Sequence, residues 1–190
     1  VSDRGAYLHI FLQKQLVESN MEKRDRDLFT ELCSGVTRQR LTLDHIWGQF
    51  VTNKKKISPE VANILRMGIY RLHYHAVNPP PFIHALLEVA KRRTNPGAVG
   101  LLNAVFRRYL HEKEKIKWPD ANAEPVEYLS VAYSHPVWLV ERWLKRFGFA
   151  ATETLCRFNN TRPPLVLRIN TCKTTPEKVK EIFTKKNISF

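Results

Sequence analysis

The stretch from Gly97 to Tyr109, reading GAVGLLNAVFRRY, restricts the fold more than any other part of this chain. From Ala98 to Phe106 every residue except Asn103 is apolar or glycine. A helix that is apolar all round belongs in a core rather than on a surface. Asn95 and Pro96 ahead of it supply an N-cap and a first-turn proline. Val99, Leu102, Phe106 and Tyr109 recur at spacings of three and four, the helical period. Gly97, Ala98, Gly100 and Ala104 lack bulk, so neighbouring helices are expected to approach closely there. The expectation is a central helix with others packed round it. On that reading Asn103 is a buried amide that needs a partner, because leaving it unpaired costs about 1–3 kcal/mol.

The residues before it read as five more helices. Residues 3–18 place Tyr7, Ile10, Phe11 and Val17 on one side, with Ser2 as cap. Residues 25–40 carry Leu28, Leu32 and Val36 as a stripe, with Gly35 permitting close packing. Residues 43–50 bury Ile46, Trp47 and Phe50, and Lys54, Lys55 and Lys56 follow as a solvated loop. Ser58, Pro59 and Glu60 form a strong helix start that runs to Tyr74, with Gly68 inviting a close neighbour. The run Asn78-Pro79-Pro80-Pro81 forces a break, because proline removes a donor and disfavours the helical region for the residue before it. A fifth helix covers 82–93. Residues 1–112 are therefore expected to form one all-α domain.

Residues 113–125 are polar, contain Pro119 and Pro125, and read as a linker. Helices are expected over 126–133, from His135-Pro136 through Trp138, Leu139, Trp143 and Leu144 to Phe147 with Gly148 as the stop, and over 150–158. The period then changes. Leu165, Leu167 and Ile169 alternate with Val166, Arg168 and Asn170, the pattern of a strand. Thr175-Pro176-Glu177 opens a helix with Val179, Ile182 and Phe183 inward, and 187–190 reads as the start of a second strand. Two such strands cannot close a sheet, so residues 126–190 read as helices followed by a small, incomplete α+β domain. The fold class is mainly α.

Charge narrows the class of partner. The net charge is +13. Residues 91–117 carry eight basic and two acidic groups, residues 118–141 carry none and four, and residues 142–190 carry eleven and three. Two basic blocks flanking an acidic connector suit a polyanion, most simply nucleic acid. Asn103 then either ties its helix to a neighbouring backbone or faces RNA. Three well-separated cysteines, Cys33, Cys156 and Cys172, fit a reducing compartment without a disulfide framework. No C-x-x-C motif or zinc-type histidine spacing occurs. His73 and His75 fall on different helix faces. No apolar run approaches the ~18 residues of a membrane span, and the first twenty residues do not read as a signal peptide. The expected location is the cytoplasm.

Two passages resemble a known family. The first comprises LRMGIYRLHY at 65–74, Asn78-Pro79-Pro80-Pro81, HALLEVAKR at 84–92 and GLLNAVFRR at 100–108, with LCSGVTR at 32–38 in support. It resembles the NusB fold found at the front of the Sun, or Fmu/RsmB, family of bacterial 16S rRNA cytosine-5 methyltransferases. The second comprises His135-Pro136 with Trp138-Leu139, and NNTRPPLVLRIN at 159–170. It resembles the segment that joins the NusB-like domain to the methyltransferase domain in that family. The resemblance implies transfer of a methyl group from S-adenosylmethionine to a cytosine of 16S rRNA, with one cysteine attacking the ring and another releasing the enzyme. The contact of the helical domain stays open between RNA, a protein partner and its own methyltransferase domain. The family's Pro-Cys motif is absent, Thr171-Cys172 lies directly after the expected strand, and no glycine-rich cofactor loop follows a strand. The catalytic domain, and the cofactor with it, is therefore expected to lie outside these 190 residues.

What is expected within them is RNA handling. Arginine binds phosphate bidentately and stacks on bases. The candidates are Arg4, Arg38, Arg40, Arg92, Arg93, Arg107, Arg108 and Arg162, with Arg168 and Asn170, which as strand residues two apart would share one face. The rival reading is a NusB-like protein- or RNA-interaction module acting in transcription antitermination.

Overall fold

In the computed structural model, which describes residues 7–161 and 166–188, the starts at Ser58 and Asn95 are built as expected, whereas the first helix begins at Leu8, with Ser2 outside the described residues, and the fifth begins at Pro79 within the proline run rather than after it. Ser58 Oγ accepts from the Val61 amide at 3.4 Å and opens a helix, Pro59–Tyr74. Asn95 Oδ1 accepts from the Ala98 amide at 2.9 Å and opens Pro96–Glu112. In chain order the helices are α1 (Leu8–Glu18), α2 (Lys23–Arg38), α3 (Arg40–Gly48), α4 (Pro59–Tyr74), α5 (Pro79–Arg93), α6 (Pro96–Glu112), α7 (Pro125–Tyr133), α8 (Val137–Asn159) and α9 (Pro176–Lys185). The lysine run Lys54–Lys56 forms one 3-10 turn, and Lys113–Lys115 forms another.

The helix at the centre is α4, not α6. α4 packs against α2, α3, α5 and α6, and buries Val61, Ala62, Ile64, Leu65, Gly68, Ile69 and Tyr70. α6 contributes Leu102, Val105, Phe106 and Tyr109 to the same core, all essentially inaccessible. Its opposite side, with Gly97, Gly100, Asn103 and Ala104, is exposed. A Cβ added at Gly100 would meet nothing within 4 Å. Asn103 is thus solvated, and the buried-amide requirement does not arise. The low-bulk residues line the open side of α6 instead of a helix–helix contact.

Close approach occurs at two other glycines. A Cβ at Gly68 would stand 2.3 Å from Phe106 Cε1, so the Phe106 ring of α6 packs directly on the α4 backbone there. A Cβ at Gly35 would stand 2.0 Å from the Tyr70 ring, which lies across α2 and donates from its hydroxyl to Glu31 at 2.6 Å. α3 is locked to α4 by a forked ion pair. Arg66 Nε and Nη2 lie 2.6 and 2.9 Å from the two Asp44 oxygens, and Asp44 Oδ1 also accepts from Trp47 Nε1 at 2.8 Å. α1 is looser. Leu12 is its one buried residue, and Tyr7, Ile10, Phe11 and Val17 are exposed rather than packed.

Past α6 the chain returns to α3. The Lys117 amide donates to Gln49 Oε1 at 3.0 Å, the Lys117 carbonyl accepts from Gln49 Nε2 at 3.1 Å and lies 2.6 Å from His45 Nε2, and Trp118 stacks on His45. Asp120 closes the next turn by accepting from the Asn122 and Ala123 amides, and those bonds hold its carboxyl below the usual range. α7 then docks on α3. The buried Thr42 hydroxyl donates to the Val131 carbonyl at 2.6 Å, and Ser134 Oγ accepts from the Leu41 amide at 3.0 Å. α8 breaks at Gly148, whose φ of 73° is left-handed. That is where the sequence places a stop, and helix resumes immediately beyond it.

Residues 1–160 form one compact unit, and residues 161–190 form a second. The second unit departs from expectation. Residues 166–170 carry no ladder, and no strand occurs among the described residues. A strand exists through its partners, and none is present to pair with 166–170. Val166 and Leu167 are accordingly exposed. Asn187 and Ile188 form no ladder either, their amides donating back to the Thr184 and Phe183 carbonyls at the end of α9, and residues 165, 189 and 190 of the two expected strands lie outside the described residues. α9 starts as expected, with Thr175 Oγ1 accepting from the Lys178 amide. Val179 and Phe183 are only half-buried and Ile182 is exposed, because no second layer covers them among the described residues.

Candidate nucleic-acid interface

The expected arginines fall into separate places rather than one cleft. Arg92 and Arg93 end α5, beside the start of α6. Arg107 and Arg108 stand about 11 residues up α6, roughly 16 Å along its axis. Arg92, Arg93 and Arg107 are exposed, and no ion pair involves them among the described residues. Along α6, Arg107 continues the open line of Gly100, Asn103 and Ala104. A flat strip ending in a guanidinium lets a sugar-phosphate backbone lie close to the helix.

Arg108, Arg38 and Arg40 have partners within the protein. Arg108 lies 3.3 Å from Glu112, donates to the Phe50 carbonyl at 3.4 Å and covers the Phe50 ring at 5.5 Å. Its charge and hydrogen bond hold the Glu112 carboxyl below the usual range. Arg38 donates to the Asn160 carbonyl at 3.3 Å, which makes it a tie between α2 and the end of α8. Arg40 sits 3.9 Å from Asp44 and is exposed. In the second unit Arg168 is exposed, while the Asn170 side chain is used locally, its Oδ1 accepting from the Cys172 amide at 3.0 Å. With no strand there, Arg168 and Asn170 do not share a strand face. Arg4 and Arg162 lie outside the described residues.

Three exposed cations not singled out in the sequence stand on the first half of α8, Arg142, Lys145 and Arg146, while Arg157 near its end lies 3.6 Å from Glu153. The signal was present, since they open the most basic block of the chain. Which side of the helix they share with Trp138 is a tertiary fact that the sequence alone does not give. Trp138 is in fact 61% exposed.

The chemistry of the cysteines matches no catalytic role. Cys156 is fully buried and Cys33 half-buried, and burial pushes both thiols up, away from the reactive thiolate. Cys172 sits in an exposed turn. No group of three or more potential metal ligands occurs among the described residues, and no helix there is long and apolar enough to cross a membrane.

An all-α bundle of this order, with α4 at the centre and basic residues on its rim, defines the class, and comparison with known families agrees: the chain belongs to the NusB family, which it matches over residues 1–111. A second match, to the Methyltr_RsmF/B-like, ferredoxin-like domain, covers residues 135–190. More particularly, the chain is homologous to the N-terminal part of ribosomal RNA small subunit methyltransferases B. It is 32% identical over 169 residues to the probable enzyme of that name from Bacillus subtilis, covering 88% of this chain and 37% of the relative. It is 30% identical over 193 residues to that of Synechocystis, covering 100% and 42%. It is 33% identical over 166 residues to that of Pseudomonas putida, covering 87% and 36%. The chain thus spans well under half the length of these relatives.

Proposed function

We propose that this chain is the RNA-handling front of a cytoplasmic methyltransferase that moves a methyl group from S-adenosylmethionine to carbon 5 of a cytosine in 16S rRNA. One observation carries the reading. A NusB-family bundle is followed in the same chain by a segment of the RsmF/B-like, ferredoxin-like type, and the relatives that match this chain over most of its length are named ribosomal RNA small subunit methyltransferases B. The functional division we favour is a helical domain over 1–112, a connector over 113–125 and an RNA-directed module from 126 onward. The family match ending at residue 111 supports it.

The residues present do not fit a methyl-donor site. The cysteines are buried in helices or held in an exposed turn, and no strand with a glycine-rich loop after it occurs among the described residues. No chemical step is assigned to this chain. Its part is to hold structured rRNA through phosphates at Arg92, Arg93 and Arg107, with Arg40 and Arg168 as further exposed contacts and the helical domain docked on the methyltransferase domain. Arg108, Arg38 and Asn170 would have to exchange internal partners for RNA.

The tagged chain is isolated from a bacterial lysate and its bound RNA sequenced. Enrichment of 16S rRNA fragments over a control protein of equal net charge is expected. No enrichment, with a protein partner retained after nuclease treatment, would instead favour the antitermination-type interaction module.

A further inference from the structure

The first half of α8, before Gly148, turns an indole and three cations to water on one side. Val140 is fully buried, and Leu139, Trp143 and Leu144 are half-buried; these four face the bundle. Trp138, Arg142 and Lys145 follow at the helical spacing of four and three, with Arg146 next to them. At 100° per residue they fall within about 100° of one another, on the side away from Val140. Trp138 is the most exposed of the tryptophans, at 61% against 4% for Trp47 and 38% for Trp118. The Arg142 guanidinium lies 6.0 Å from the centre of its ring. Arg146 lies 5.4 Å from the exposed Phe147 ring. Glu141 is the one carboxylate of this turn, against three cations.

An indole left in water beside a guanidinium group is a poor use of apolar surface unless something flat covers it. The cations say what that is. Tryptophan and arginine also occur in protein interfaces, but three cations against one carboxylate call for a partner of matching negative charge, and a nucleic acid supplies both a flat ring and flanking phosphates. Stacking requires a base that is not already paired, because bases within a duplex stack on each other. The geometry points to a single-stranded RNA site on α8: an unpaired base stacks on Trp138 and Arg142, and Lys145 and Arg146 hold the adjacent phosphates. This inference rests on the proposed RNA role and adds to it where, and in which state, the RNA is bound.

The test measures binding of the 190-residue chain to a labelled 16S rRNA hairpin with an unpaired loop, and to a blunt duplex with the hairpin's stem sequence. Trp138→Ala is expected to weaken loop binding about tenfold and to leave duplex binding within about twofold, a scatter of roughly 0.4 kcal/mol. Trp138→Phe, which keeps a stacking ring, is expected to restore most of the loss. Replacing Arg142, Lys145 and Arg146 with alanine is expected to weaken loop binding and to reduce its salt slope by about 2. If the wild-type chain binds the loop RNA and Trp138→Ala binds it equally well, the α8 site is wrong while the RNA role stands. If Trp138→Ala and Trp138→Phe lose loop binding equally, stacking is refuted. If the wild-type chain binds neither RNA, the RNA role falls and the α8 site with it.

Discussion

The forked pair between Asp44 and Arg66 gives the sharpest test of how the bundle is held together. In Asp44→Ala the Arg66 side chain, only 12% exposed, loses both carboxylate contacts and keeps the Asn63 carbonyl oxygen at 2.8 Å. Removing one member of a buried pair costs about 3–5 kcal/mol, because a charge is left uncompensated. The low end applies, since Asp44 is 29% exposed and water can reach the vacated side. Trp47 Nε1 also loses its acceptor, worth about 1 kcal/mol. The expected loss is about 4 kcal/mol, which in a chain of this length lowers Tm by roughly 8–16 °C. Urea unfolding followed by far-ultraviolet circular dichroism measures it, with a lower midpoint at unchanged slope. The double variant Asp44→Ala/Arg66→Met should be more stable than Asp44→Ala by about 1 kcal/mol or more, because the stranded charge is gone. A loss below about 1 kcal/mol, or a double variant weaker than the single one, would refute the reasoning.

Two glycine substitutions of identical chemistry should move stability in opposite directions. Gly68→Ala drives a methyl group into Phe106 and should cost about 1–3 kcal/mol net. Gly100→Ala meets open space and should stabilise α6 by up to about 1 kcal/mol through helix propensity. Chemical denaturation of both variants checks the pair. Burial pushes the Tyr109 hydroxyl up to about 12 from an ordinary value of 10.0, and raises Tyr70 as well. A group raised on folding stabilises fully below its unfolded value, so stability should be intact below pH 10 and fall as pH climbs from 10 towards 12. Tyrosinate absorbance should show these phenols ionising together with unfolding rather than before it.

Much of the helical frame was legible because local chemistry decides it. Ser58-Pro59 and Asn95-Pro96 cap their helices whatever surrounds them, and Gly148 breaks α8 because its backbone takes a left-handed turn. Gly35 and Gly68 also mark close approaches, as read. Which side of a helix is covered is a tertiary fact, and there the sequence misled. The apolar continuity of 98–106 suggested burial all round, yet glycine and alanine contribute too little apolar surface to demand it, so Gly100 and Ala104 stay open. Trp138 is apolar, and the side it shares with Arg142, Lys145 and Arg146 shows only once they are placed on α8. The alternation at 165–170 is a real strand pattern, but pattern cannot supply a pairing partner. For the candidate site, the cation-rich segments were visible, but their internal ties, such as Arg38 to Asn160 and Arg108 to Phe50, depend on contacts between residues far apart in sequence.

The central claim, that this chain grips RNA through phosphates, is tested most directly by a salt titration. Affinity for a labelled 16S rRNA hairpin is measured from low to physiological salt and plotted as log K against log salt. Four or more neutralised phosphates predict a slope of about −3 or steeper. A slope near zero, or no binding at low salt, would contradict it.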